Sequence, residues 1–357
     1  MNKPLKESLK PALYADVLSV AKRALPWNKL QGKTLFLTGA AGLIGRYITL
    51  AALLRNDLYS DNIHVVAFVH NEKKARAAFG DAADRDDLTL LAGDVCDLPA
   101  DLPKADFVIH AASPASAIQY EQNPVGTLLT NTVGTENVLK FARDCGAESV
   151  LCASSLKVFG NVYDGDVMTE QTNGILDFTT YKNCYAEGKR ATETLANAYF
   201  HQHGTPVKLV RPAYIYGACS LDDDRVWAQF IANVVRRENI LLKSNGAAYR
   251  SFCYVADTAA AFLTVLLAGE NGEVYNIADD RSNVTIRDFG KIAVAAFPER
   301  GLSLSFQNPE DEAEPPNVFT KTPEILDCSK LRALGFTAEI DIPEGVRRTV
   351  AILEESL

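Results

Sequence analysis

The chain has 357 residues, 47% of them hydrophobic and 23% charged, with a formal net charge of −9. That length buries a sizeable core and fits one large α/β domain with a smaller lobe, and the composition excludes a disordered chain. The acidic balance argues against a nucleic-acid partner, because phosphate backbones require clustered Lys and Arg, and no apolar run approaches the roughly 20 residues of a membrane helix.

Residues 1–30 place Leu9, Leu13, Val17, Val20 and Ala24 at helical spacing, which predicts a helical extension packed on the domain or on a partner subunit. The stretch has no continuous apolar centre and no small-residue cleavage site, so the cytoplasm is the expected compartment. From residue 34 onward, apolar runs of strand length alternate with helical patterns. TLFLTG (34–39), HVVAFV (64–69), LTLLAGD (88–94), DFVIHAA (106–112) and SVLCASS (149–155) read as buried strands, with helices over 43–55 and about 125–145. Uninterrupted apolar strands alternating with helices predict a Rossmann-like, doubly wound parallel sheet over residues 31–212. Beyond it, the shorter strands SFCYV (251–255) and VYNIA (274–278) predict a smaller C-terminal α/β lobe over 213–357 that binds substrate, some of whose segments can rejoin the first domain. The seven cysteines (Cys96, Cys145, Cys152, Cys184, Cys219, Cys253 and Cys328) are scattered without C-x-x-C or zinc spacing. They read as reduced, packed thiols, and no metal site is expected.

Gly39, Gly42 and Gly45 stand between the first predicted strand and the first helix. Glycine is required where backbone turns tightly against a pyrophosphate, and the helix start supplies free N–H groups and a favourable dipole. A dinucleotide cofactor is therefore expected on Gly39, Gly42, Leu43, Ile44 and Gly45. The second strand ends in Val69-His70-Asn71, without the acid that commonly selects NAD over NADP, so this position leaves NADP open and NAD is preferred on other grounds. Tyr185 and Lys189 lie four apart on a predicted helix, hence on one face, about 30 residues after Ser155 at a strand end. A nearby cation lowers a phenol pKa and a serine hydroxyl can hydrogen-bond the same oxygen, so this set can exchange a proton with a sugar hydroxyl.

In this order the motifs resemble the extended short-chain dehydrogenase/reductase family, specifically its nucleotide-sugar epimerases, dehydratases and decarboxylases, over about residues 33–340. The resemblance implies cofactor contacts at His70, Asp94, Val95, Ala111, Ala112, Ser113, Asn131, Tyr185, Lys189 and Pro212, and a turn flanking the nicotinamide at Arg211-Pro212 and Tyr216-Gly217. It implies substrate contacts at Ser113, Ser155, Lys157, Tyr214, Arg225 and Arg250, the last at the substrate diphosphate. It also implies a tightly held NAD that oxidises the sugar at C4. The segments HAASPAS, NCYAEGKR, DDRV and RSFCYVAD are most similar locally to UDP-glucuronate decarboxylases. Leu156-Lys157 stand where the dehydratases carry an Asp-Glu pair, which disfavours 4,6-dehydration. Lys157 also replaces a glutamate common in the decarboxylases, and Tyr214 an asparagine. Lys157 reads as a substrate-contacting residue, as an acid/base beside the ketone, as an anchor for a uronate carboxylate, or as a surface lysine near a strand end. Asp222, Asp223 and Asp224 read as solvated loop residues.

Ser155, Tyr185, Lys189 and Lys157 are thus the expected catalytic residues. The leading expectation is a nucleotide-sugar 4-epimerase, the alternative a decarboxylase of a nucleotide-linked uronic acid. A non-catalytic cofactor-binding protein is the third reading. Family members pair through the helix bearing the tyrosine and lysine, so a homodimer is expected.

Overall fold

The computed structural model describes residues 2–114, 116–162, 167–307 and 324–357. Ala115, inside the HAASPAS segment, lies outside the described residues. The strands in chain order are β1 (Thr34–Thr38), β2 (His64–Val69), β3 (Leu88–Ala92), β4 (Phe107–His110), β5 (Ser149–Ala153), β6 (Val207–Pro212), β7 (Tyr214–Tyr216), β8 (Ile240–Leu242), β9 (Tyr249–Tyr254), β10 (Val274–Ile277), β11 (Asn283–Thr285) and β12 (Leu304–Phe306). Seven of them form one parallel sheet in the order β10-β6-β5-β4-β1-β2-β3. The order reverses between β1 and β4, and a crevice outside the carboxyl ends of the strands belongs at such a switch point.

Alternation along β1 explains why both faces of the sheet are covered. Leu35 and Leu37 face one way, into a core shared with the helix Leu43–Tyr59, while Phe36 faces the other, toward Val138 and Leu139 of the helix Pro124–Cys145. All of these apolar side chains are fully buried, and each contributes about 1.5–3 kcal/mol relative to exposure. The smaller sheets are β11-β9-β7 and β12-β8. Although β10 lies within the stretch assigned to the second lobe, it pairs with β6 at the edge of the main sheet, so the chain returns to the first layer after building part of the second.

The N-terminal residues fold as a short helix (Leu5–Ser8) and a longer one (Pro11–Ala21). Leu13, Val17 and Val20 enter the core of this chain, whereas Ala24 lies beyond the helix and is exposed. Buried Asp16 fixes this docking: its carboxylate accepts from the Tyr47 and Tyr254 hydroxyls, each at 2.6 Å, and from Arg348 at 3.1 Å. Arg23 likewise pairs with buried Asp257. No helix among the described residues is long and apolar enough to cross a membrane, and all seven cysteines are free.

Candidate active site

The glycine turn joins β1 to the helix Leu43–Tyr59. Gly39 has φ +71°, and a Cβ there would lie 2.7 Å from the Ala111 carbonyl oxygen; a Cβ on Gly45 would lie 2.4 Å from the Gly39 oxygen. Side chains are therefore excluded on steric grounds, and the turn becomes a cradle lined by backbone. Gly42 caps the helix without any side-chain hydrogen bond, leaving the first N–H groups for an anion. This cradle fits a dinucleotide pyrophosphate. Thr38 shapes the neighbouring strand end: its hydroxyl accepts from the Ala111 and Ala112 N–H groups, each at 3.2 Å, and lies 2.8 Å from His110 Nδ1. Burial, with the Lys189 charge nearby, pushes His110 down to about 3, so its imidazole stays neutral.

Several expected cofactor residues prove to be committed inside the protein. Asn131 is fully buried, donating to the Thr127 carbonyl at 2.8 Å and accepting from the Ser113 hydroxyl at 3.0 Å, so it ties the β4 end to the neighbouring helix. The Val95 side chain is buried against Gly134 rather than turned outward. Pro212 closes β6 and is buried. Its neighbour Arg211 holds Glu193 of the Tyr185 helix with two bonds of 2.8 and 2.7 Å, bracing that helix. Tyr216 fills the core and its hydroxyl donates to the Asp341 carbonyl at 3.1 Å. His70 is exposed at the end of β2, and Asp94 is exposed while capping the short turn Val95–Asp97.

Ser155, Tyr185 and Lys189 do come together. Ser155 caps the short turn Leu156–Phe159 just past β5, and its oxygen accepts from the Lys157 N–H at 3.2 Å. Tyr185 and Lys189 share one face of the helix Cys184–His203, with the ammonium 5.8 Å from the Tyr185 ring centre. Lys189 is buried and donates to the Ala153 carbonyl at 2.7 Å; its burial lowers it to about 8. Burial raises the Tyr185 phenol above its usual value, opposed by hydrogen bonds from Ser155 and Tyr120 and by the positive charge of Lys157. Tyr120, which sequence reasoning missed, stacks on Tyr185 with ring centres 4.4 Å apart and planes 10° from parallel.

A second cluster surrounds Lys157. It is no isolated surface lysine: Nζ donates to the Tyr214 hydroxyl at 2.8 Å and to Glu324 at 2.9 Å. Tyr214 donates to the other Glu324 oxygen at 2.6 Å, and Arg250 Nε pairs with that same oxygen at 2.8 Å. Burial works against the charge on Lys157, but Tyr214 and Glu324 hold the ammonium above its usual range. Burial likewise opposes ionisation of Glu324, while Lys157 and Arg250 hold it below its own range. Glu324 was not legible from spacing, since 167 residues separate it from Lys157. Arg225 is gripped by Asp223 with bonds of 2.8 and 2.7 Å, and Asp222 pairs with Arg236 while staying solvent-exposed in the loop, so of the acids expected to be solvated loop residues only Asp223 is drawn into a half-buried ion pair. Arg225 lines a cavity of about 420 Å³ together with Gly42, Leu43, Arg46 and Cys219. Among the described residues no cluster could hold a metal ion.

A parallel sheet with a backbone cradle at its switch point, and a Ser-Tyr-Lys set at the ends of adjacent elements, fits the class of dinucleotide-dependent enzymes. The chain belongs to the NAD-dependent epimerase/dehydratase family of extended short-chain dehydrogenases, whose model matches residues 35–278. It is 30% identical over 247 residues to UDP-glucuronic acid decarboxylase 6 of Arabidopsis thaliana, covering 68% of each chain. It is 29% identical over 329 residues to UDP-glucuronic acid decarboxylase 1 of Danio rerio, covering 91% of this chain and 73% of the relative. Among solved structures it resembles the UDP-glucuronic acid 4-epimerase of Bacillus cereus, with a TM-score of 0.74 at 18% identity, over 91% of this chain and 100% of the other.

Proposed function

We propose that the protein is an NAD-dependent decarboxylase of a nucleotide-linked uronic acid, working through a 4-keto sugar. The observation that carries the uronate part of this reading is the meeting of two donors, Lys157, which lies two residues past Ser155, and Tyr214, on the carboxylate of Glu324. A substrate bearing its own carboxylate suits those donors. The curated relatives, UDP-glucuronic acid decarboxylases, support the same substrate class and shift the balance from epimerisation, the leading expectation from sequence, to decarboxylation.

NAD would rest on Gly39, Gly42, Leu43, Ile44 and Gly45, with Ala111, Ala112 and Ser113 bordering it, and when bound it supplies a hydride acceptor and donor. Tyr185 takes the proton of the sugar 4-hydroxyl, with Ser155 and Tyr120 bonding the phenol oxygen and Lys189 providing a fixed positive charge. The resulting 4-keto uronate is a β-keto acid. Its C5–C6 bond breaks, CO2 leaves, and the electron pair moves into the C4 oxygen as an enolate. C5 then takes a proton from solvent, because Tyr214 and Glu324 hold the Lys157 ammonium above its usual range and make it a poor donor, and Tyr185 returns its proton as the ketone is reduced.

A second reading, 4-epimerisation with the carboxylate retained, is favoured by Lys157 itself, because an ion-paired carboxylate keeps its CO2 more firmly than a desolvated one. Incubation with UDP-glucuronate and NAD, followed by mass spectrometry and NMR, separates the two: a pentose product with release of CO2 supports decarboxylation, and unchanged mass with inverted C4 supports epimerisation. Repeating the reaction with NADP tests the preference for NAD. We further propose a homodimer, supported by exposed Val125, Leu128, Leu129 and Val133 on the helix Pro124–Cys145 that packs beside the Tyr185 helix. Sedimentation of the parent and of Leu129→Glu tests it, a monomeric parent being the contrary result.

A further inference from the structure

Three consecutive residues where β5 ends each bond to a different turn of the helix Cys184–His203. The Ala153 carbonyl accepts from the Lys189 ammonium at 2.7 Å, the Ser154 hydroxyl donates to Glu193 Oε1 at 2.5 Å, and the Ser155 hydroxyl bonds the Tyr185 phenol. Tyr185, Lys189 and Glu193 are spaced by four, so the face that carries the reacting pair carries a carboxylate one turn further on. Glu193 is itself fixed, because Arg211 of β6 donates to its two oxygens at 2.8 and 2.7 Å in a largely buried pair. Arg211 also donates to the Glu170 carbonyl at 2.9 Å and lies 4.8 Å from the centre of the Phe159 ring. Of the titratable groups facing Lys189, His110 of β4 is held at about 3 and Cys152 of β5 is pushed up to about 12, both by burial, so both are uncharged at neutral pH. The helix Pro124–Cys145 meets this stretch through the uncharged Asn131 and Thr135, and the turn Leu156–Phe159 brings the positive Lys157 toward Tyr185. Glu193 is left as the anion facing the buried ammonium.

We propose that Glu193 is a positioning residue for proton transfer: gripped by Arg211, it locks the Tyr185–Lys189 face in register with the end of β5 and keeps the Lys189 ammonium charged beside Tyr185. It acts through Lys189 and Ser154 rather than on the sugar. A buried cation without a facing anion sheds its proton more readily, and Tyr185 then loses the fixed charge that favours its phenolate. Register matters as much, since a helix that slides along the strand end carries the phenol away from Ser155. The sugar chemistry served by this device rests on the function proposed above; the effect on Lys189 depends only on the residues of this chain.

NMR of the full chain with NAD, its lysines labelled with carbon-13 at Cε, follows the Lys189 ammonium directly, the signal being assigned by its loss in Lys189→Met. Glu193→Gln is expected to weaken proton binding at Lys189 about tenfold, the Arg211 charge left behind acting in the same direction. Ser154→Ala keeps the carboxylate and should leave that proton within about twofold of the parent. In turnover of UDP-glucuronate, the alkaline limb of kcat/KM should move to lower pH by the same factor in Glu193→Gln. Ser154→Ala should instead lose about three- to tenfold in kcat with the limb in place. Should Glu193→Gln not fold, Glu193→Asp withdraws the charge by one methylene and is expected to weaken the Lys189 proton about threefold. Unchanged titration of Lys189 in the Glu193 variants overturns the proposal, and full kcat in Ser154→Ala overturns the part played by register. If the parent does not turn over UDP-glucuronate, the functional reading falls separately, and the NMR titration still decides for or against Glu193.

Discussion

Gly45→Ala isolates the contribution of the backbone cradle. Alanine in a helix interior gains about 0.5–1 kcal/mol over glycine. Here, however, its Cβ would sit 2.4 Å from the Gly39 oxygen and 2.9 Å from the Ala40 Cα, while ordinary contact begins at 3.4 Å. The turn must give by about 1 Å, and the atom that moves already accepts the Gly42 N–H at 2.9 Å, so that bond stretches beyond useful length. Overpacking costs about 1–3 kcal/mol and the lost bond about 0.5–1.5 kcal/mol, which against the helix gain leaves a net destabilisation of about 0.5–4 kcal/mol. The displaced amides also misalign with a bound pyrophosphate, and one charged hydrogen bond is worth about 1.5–3 kcal/mol, or about 10- to 100-fold in Kd. Calorimetric titration with NAD and thermal unfolding with and without it measure both effects. An NAD affinity within about twofold of the parent would refute the steric reasoning.

Tyr185→Phe should retain NAD yet lose about 100- to 10,000-fold in turnover, read by product formation under saturating substrate; near-normal turnover would remove Tyr185 from proton transfer. Burial lowers Lys189 to about 8, so kcat/KM should fall as pH rises through that value and the ammonium is lost, a limb that a pH profile of Lys189→Met should lack. The linked stability runs the other way. The folded protein bears the cost of the buried charge below about 8, and this cost is relieved as pH climbs toward the ordinary value of 10.5, so denaturant titrations should show this group's contribution improving across that window. Asp16→Ala strands the buried hydroxyls of Tyr47 and Tyr254 and leaves Arg348 with Glu344 alone, and should cost about 2–5 kcal/mol in urea unfolding; a loss below about 1 kcal/mol would show that the N-terminal helix is held by apolar contacts alone.

The strands β1 to β5 were legible because parallel strands buried on both faces leave uninterrupted apolar runs. β6 is just as buried but escaped notice, since it carries Lys208 and Arg211. Their charges are satisfied internally, Lys208 by Ser149 and Asn271 and Arg211 by Glu193, which hides a core strand behind polar residues. The Tyr185–Lys189 face could be read because one helix sets it by spacing alone. Tyr120 and Glu324 could not, because each reaches the site from a segment whose position depends on tertiary packing, and no periodicity links such residues to Ser155 or Lys157. The same limit applied to Arg225 and Arg250, whose types were recognisable as anion ligands while their acidic partners were not.

Asp16 also bears on the order of folding. It is synthesised well before its partners, since Arg348 lies 332 positions later and Tyr254 lies 238 positions later. The N-terminal helix therefore cannot complete its docking on a growing chain until the last helix has been made. Contacts of such long sequence separation slow the final step, although the helix Leu43–Tyr59, made soon after, already covers part of the apolar face of the N-terminal helix. Poor recovery of chains shortened before Arg348 is the expected outcome of joining positions 332 residues apart through one buried carboxylate.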